Sequence, residues 1–206
     1  MSLTHKVIIP IWSKDVLRWF VGGSLVERAI ERLEDVRGVH NLVLLSHDLK
    51  VAREVVDEIE MELTIECVRL PPKHKINSFL ELIRQYAEKF VEKEPEILIG
   101  LNPAYPFLDR GRMESAIHAV KKKRSAVTVV PTRYLSATHR HVKVESGFSL
   151  VEACLALHSD QLKNNNTADV LSATSELIEI DEIEAVNATT PEGRKIAEAI
   201  LTHGDV

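Results

Sequence analysis

The feature that most constrains the fold is a change of hydrophobic period that recurs along the first two-thirds of the chain. A short continuous apolar run is followed, each time, by a stretch whose apolar residues return every three or four positions. Lys6 to Ile11 is the first run, and Leu25, Val26, Ala29, Ile30 and Leu33 follow it at helical spacing. Asn41 to Ser46 is the second, with Asp48 placed to cap a helix that carries Val51, Ala52, Val55 and Ile59 on one face. Thr64 to Leu70 is the third; Pro71 and Pro72 then break the chain, and Ile76, Phe79, Leu80, Ile83, Ala87 and Phe90 form the stripe of a long helix. Glu96 to Leu101 is almost wholly apolar, the pattern of a strand buried on both faces. It leads through the loop Asn102 to Asp109 into a helix marked by Met113, Ala116, Ile117 and Val120, after which Ala126 to Val130 is a β-branched strand ended by Pro131. Strand and helix in alternation predict an α/β domain over residues 1–206, with a mostly parallel, doubly wound sheet between two helical layers. Sheets of this kind bind ligands outside the carboxyl ends of their strands.

Beyond Pro131 the alternation stops. Residues 132–150 read as an excursion from the sheet, rich in His, Arg and Lys, in which His139 and His141 flank Arg140. Leu150 to Leu157 resumes a strand, Gln161 to Asp169 reads as a polar surface loop, and Glu176 to Ile180 is a last short strand. Thr189, Thr190, Pro191 and Glu192 make a helix start for Ile196, Ala197, Ile200 and Leu201. Lys121 to Arg124 ends a helix, where cations complement the dipole.

Composition excludes several classes of function. A net charge of −5 argues against a duplex-binding protein, because phosphate neutralisation needs clustered Lys and Arg. Cys67 and Cys154 both lie in apolar runs, so the chain has neither a disulfide framework nor a cysteine zinc site. The run Val7 to Trp12 is interrupted by Pro10 and is too short to span a membrane, which predicts a cytoplasmic protein.

Four stretches resemble the acylneuraminate cytidylyltransferase family, whose members couple CTP to an acidic sugar. Val7-Ile8-Ile9-Pro10 is similar to the strand that opens the family's nucleotide loop, and Leu44-Leu45-Ser46-His47-Asp48 to its Ser-Thr-Asp strand end. Leu101-Asn102-Pro103-Ala104-Tyr105-Pro106 resembles the Leu-Gln-Pro-Thr-Ser-Pro signature, with matching spacing to Ser115-Ala116-Ile117. Glu179-Ile180-Asp181 through Asn187-Ala188-Thr189-Thr190 to Ala197-Glu198 is similar to the carboxyl-terminal Asp-Ile-Asp-Thr segment. The resemblance implies a nucleotide-diphospho-sugar transferase-like (Rossmann-like) fold, CTP or another nucleotide and an acidic sugar as partners, Mg²⁺ as cofactor, and a homodimer formed through the arm at 132–150.

Carried onto this sequence, the resemblance makes Lys14 and Arg18 the candidate catalytic cations at phosphate. Ser13, Asp48, Asn102, Pro103 and Tyr105 become the candidate nucleotide- or sugar-binding residues. The departures fall where the chemistry should be. The nucleotide loop reads Ile11-Trp12-Ser13-Lys14-Asp15, without the Arg and two Gly that let backbone approach a triphosphate, and Trp12 would obstruct that approach. The two magnesium carboxylates fall on Asn187 and Thr189, whose neutral oxygens bind a hard dication more weakly, leaving Asp48 and Asp181 as candidate replacements. Each motif also has a plain structural reading: Asp48 as a helix cap, Asn102 to Pro106 as a rigid turn, His139 and His141 as part of an exposed arm. Two functions follow: transfer of CMP from CTP to an acidic sugar, or a non-catalytic homologue that binds nucleotide or sugar as a regulatory dimer.

Overall fold

A computed structural model describes residues 5–34, 36–59, 63–70, 78–90, 97–122, 125–131, 143–145, 148–164 and 175–203. In chain order, β1 (His5–Ile11) is followed by a one-turn 3-10 helix (Lys14–Val16), a hairpin of β2 (Trp19–Phe20) and β3 (Gly23–Ser24), and helix α1 (Leu25–Glu31). Then come β4 (Asn41–Ser46), α2 (Leu49–Asp57), β5 (Thr64–Arg69), α3 (Phe79–Phe90), β6 (Ile97–Leu101), α4 (Arg110–Lys121) and β7 (Ala126–Pro131). The carboxyl-terminal part holds β8 (Lys143–Glu145), β9 (Phe148–His158), α5 (Ser159–Asn164), β10 (Glu176–Glu179) and the closing helix α6 (Pro191–His203).

The strands form one sheet in the order β10-β7-β9-β6-β1-β4-β5, with β8 also paired to β9; the small hairpin stands apart. Pairing is parallel from β6 through β1 and β4 to β5, and between β7 and β10. β9 alone runs against its neighbours, inserted between β6 and β7. The sheet is therefore mostly parallel, as the alternation of periods predicts.

Two separate cores account for the continuous apolar runs. Val7, Ile9 and Ile11 of β1 pack on one face with Leu25, Val26 and Ile30 of α1, Ala52 of α2, Met113 and Ile117 of α4, and Ala197 of α6. Ile8 points to the other face and joins Leu98 of β6 with Phe79, Ile83 and Tyr86 of α3. A strand with helices on both sides has no polar face, which is why alternation is missing from β1, β4 and β6. Gly100 in β6 is there for close approach: a Cβ at that position would lie 2.8 Å from Cζ of Phe79.

Three details differ from the sequence reading or complete it. α5 occupies the start of the stretch read as a polar loop, because polarity alone does not separate a loop from an exposed helix. Gly22 turns the β2-β3 hairpin with φ of +84°, beside Val21 at +21°. β8 is the described part of the excursion 132–150; residues 132–142, including His139 and His141, and Lys123 and Arg124 lie outside the described residues. Among the described residues no helix is long and apolar enough to cross a membrane.

Candidate functional site

The chain order reverses at β1: β4 and β5 build outward on one side, and β6 returns on the other. A crevice outside the carboxyl ends of β1 and β6 follows from that reversal. Ile8 pairs with Gly100, so the residues leaving both strands, Trp12 to Lys14 and Asn102 to Tyr105, emerge side by side.

The loop after β1 is closed on itself. Ser13 Oγ accepts the backbone N–H of Asp15 at 3.2 Å, capping the 3-10 turn. One of the few amides that could face a phosphate is thus already used. Lys14 is exposed and has no ion pair among the described residues, whereas Arg18 pairs with Asp15 at 3.4 Å on an open surface. Trp12 turns toward the α3 side and meets Phe79 edge-on, with ring centroids 5.7 Å apart at 73°. Its indole packs against the apolar cluster that Phe79 and Ile83 of α3 form with the sheet.

The loop after β6 is built from a buried Asn. Asn102 donates its N–H to the Ala153 carbonyl at 2.9 Å, which extends the β6-β9 ladder, and its Oδ1 accepts from Ala104 N at 3.1 Å. This Asx turn is stiffened by buried Pro103 and closed by Tyr105, which donates its N–H to the Asn102 carbonyl at 3.2 Å. Arg32 of α1 holds the loop from behind, donating to the Tyr105 carbonyl at 3.4 Å. Burial, with Arg28 nearby, brings the Arg32 guanidinium down to about 10.

The segment before α6 docks on this loop. Ala188 donates its N–H to the Ala104 carbonyl at 2.8 Å, which brings Asn187 to the Tyr105 side of the loop. Burial, seconded by the negative charge of Glu152, pushes the Tyr105 phenol up to about 12, although the Asn187 side chain acts the other way. Two segments recognised separately in the sequence thus form one seam. Thr190 Oγ1 accepts from Gly193 N at 3.0 Å, the helix start expected for α6.

The residues present do not fit a magnesium site of the implied kind. Asn187 Oδ1 accepts from Thr189 N at 3.0 Å and from Thr189 Oγ1 at 2.6 Å, so the two former carboxylate positions are spent on each other. Asp48 caps α2, accepting from Lys50 N at 2.9 Å. Asp181 accepts from Ile183 N at 2.9 Å and Glu184 N at 2.8 Å. Asp48 follows β4 and Asp181 follows β10, five strands apart in the sheet, which is roughly 24 Å at the usual strand spacing. As replacement ligands for one ion they do not come together. Among the described residues no group of three or more His, Cys, Asp or Glu could hold a metal.

Sequence reasoning missed Glu152. Between the pairs Val127–Leu155 and Val129–Leu150, the single Thr128 of β7 stands opposite Val151 to Cys154 of β9, a bulge in an otherwise regular ladder. The buried Thr128 hydroxyl staples it, accepting from Cys154 N at 3.0 Å and donating to the Val151 carbonyl. The bulge carries Glu152 to the start of α3, where Oε1 accepts from Phe79 N at 3.1 Å. Burial holds this carboxyl above its ordinary range, opposed by the Phe79 N–H. A lone Glu inside an apolar strand was the only available signal.

A mostly parallel sheet with one reversed strand, the ends of β1 and β6 side by side, and a closing segment docked on the β6 loop make an α/β fold shared with solved cytidylyltransferase structures. The chain matches a 4-diphosphocytidyl-2C-methyl-D-erythritol synthase from Anaerococcus prevotii DSM 20548 with a TM-score of 0.73 and 10% identity, over 98% of this chain and 99% of that one. A second structure described by that activity gives 0.72 and 13%, over 98% and 99%. A CMP:2-keto-3-deoxy-manno-octonic acid synthetase complexed with CTP gives 0.67 and 13%, over 97% and 98%. At these identities the likeness is one of fold, and it does not single out the acylneuraminate type. No protein-family model matches the sequence, and no curated protein matches it.

Proposed function

We propose that this chain is a nucleotidyltransferase that binds CTP, or another nucleotide, in the crevice above β1 and β6 and transfers CMP to an acidic sugar. The observation that carries this reading is the seam of Ala104 with Ala188, which brings the signature loop and the carboxyl-terminal segment together beside the loop after β1. A hydroxyl oxygen of the sugar attacks the α-phosphorus, the bond to the β-phosphate oxygen breaks, pyrophosphate leaves, and the hydroxyl proton passes to solvent. Catalysis of this type rests on positioning and charge neutralisation. Lys14 offers a free cation for the phosphates and Arg18 a second one once released from Asp15; Ser13, Asn102, Pro103 and Tyr105 line base or sugar, and Asp48 lies farther out, beyond β4. The protein would work in the cytoplasm as a homodimer joined through residues 132–150.

One observation favours a second reading. The closed Asn187–Thr189 pair leaves no protein carboxylate at the family's magnesium positions. A homologue of this kind would bind nucleotide or sugar as a regulatory dimer and not turn it over. Calorimetric titration with CTP, with and without Mg²⁺, followed by pyrophosphate release over a panel of acidic sugars, separates the two. Pyrophosphate release supports the transferase; CTP binding that ignores Mg²⁺, without release, supports the binding protein; absence of CTP binding sinks both.

A further inference from the structure

Three features of the fold converge on Glu152. The β9 bulge exists at this point alone in the β7-β9 ladder, and bulges beside ligand sites serve to re-aim a side chain. Glu152 Oε1 accepts from Phe79 N, and the buried Phe79 ring in turn meets the half-buried Trp12 of the loop after β1, which links the carboxylate to that loop through one residue. Ala153, the next residue, accepts the Asn102 N–H at 2.9 Å, so Glu152 adjoins the start of the loop that carries Tyr105.

The plain alternative is that Glu152 only caps α3. That helix already has a cap, since Ser78 Oγ accepts from Glu81 N at 3.1 Å. Glu152 Oε2 has no partner among the described residues. A carboxylate oxygen left over at the strand ends is the chemistry that takes hydrogen bonds from the hydroxyl groups of a carbohydrate, and the half-buried Trp12 of the neighbouring loop is an apolar surface for a sugar ring. The crevice is also polarised. Lys14 lies on the β1 side, and β9 is two strands away in the sheet, about 10 Å at the usual spacing.

We propose that Glu152 selects the acceptor: its Oε2 takes hydrogen bonds from hydroxyl or amino groups of the sugar, so that the polyol end faces β9 and the acid end faces Lys14. The proposal rests on the reading of the crevice as a nucleotide-sugar site, and its test separates the two. The chain has two tryptophans, so Trp19→Phe, at an exposed position, leaves Trp12 as the sole indole reporter in the full chain. In that background, 2-keto-3-deoxy-manno-octonic acid, mannose and glucosamine are titrated by Trp12 fluorescence, and CTP by calorimetry, with and without Glu152→Gln.

Glutamine keeps an oxygen for Phe79 N, and thermal unfolding verifies the fold of the variant. The expected result is a loss of at least about tenfold in affinity for the sugars that bind, because a hydrogen bond to a charged group is removed, with CTP affinity unchanged. Sugar binding that depends on Glu152 while CTP fails to bind would sink the nucleotide reading and leave this one standing. Equal sugar affinities in the two proteins, or no binding of any of the three sugars by the unsubstituted site, would overturn it.

Discussion

Asn187 accepts both the N–H and the hydroxyl of Thr189 at its side-chain Oδ1, at 3.0 and 2.6 Å. The turn that this side chain closes lies where Ala188 N–H reaches the Ala104 carbonyl, joining the loop after β6 to the entrance of α6. Asn187→Ala removes both hydrogen bonds and is expected to lower stability by about 1–3 kcal/mol, read from urea unfolding. Asn187→Asp keeps an oxygen for both Thr189 donors and is expected to recover most of that loss. Equal loss in both variants would mean that the seam does not depend on this amide.

Gly193 permits the same seam from the α6 side. A Cβ there would sit 2.0 Å from the Asn187 carbonyl oxygen, which is backbone and cannot swing aside. Gly193→Ala is expected to cost more than about 2 kcal/mol, since helix or turn must shift. A helix-propensity gain without other effect would instead raise the melting temperature, and that outcome would contradict the packing described.

Burial raises the Glu152 carboxyl above its ordinary value of 4.5. The folded chain then holds this proton more tightly than the unfolded chain, so its contribution is whole below pH 4.5 and lost as pH climbs through the raised value. Relative to Glu152→Gln, the unsubstituted protein is expected to lose stability across the window just above pH 4.5 and then run parallel to the variant. Urea midpoints of both proteins over a pH series check this; a difference that grows in favour of Glu152 with rising pH would contradict it.

Cys154 is fully buried in β9 and its thiol is pushed up to about 12, while Cys67 is half-buried and raised less. The thiolate is the reactive form, so a maleimide is expected to label Cys67 slowly in the native chain and Cys154 only after denaturation. Mass analysis of digested adducts distinguishes the two sites, and native labelling of Cys154 first would place β9 at the surface.

The sheet was legible in the sequence because its central strands are buried on both faces. Continuous runs such as Asn41 to Ser46 and Ile97 to Leu101 leave little choice of conformation, and β4 matches its sequence reading residue for residue. The caps were legible for a local reason, since Asp48 and Thr190 need only their position before a helix. Glu152 was not, because a bulge is set by the partner strand and Thr128 lies far from it in the chain. The separation of Asp48 from Asp181 was equally hidden, because strand order in a sheet is a tertiary fact. Seen in sequence, both are acids at strand ends; in the fold they sit at opposite sides of β1 and β6.

The account turns on one cavity at the strand ends serving one ligand. Titration of CTP into the isotopically labelled chain, followed by amide nuclear magnetic resonance, tests this most directly. The expected result is that shifts concentrate on the amides of Trp12 to Lys14, Asn102, Tyr105 and Asn187, with β5 and the far ends of the strands unmoved. Shifts confined to other surfaces, or none at CTP concentrations well above those at which such folds hold nucleotide, would contradict it.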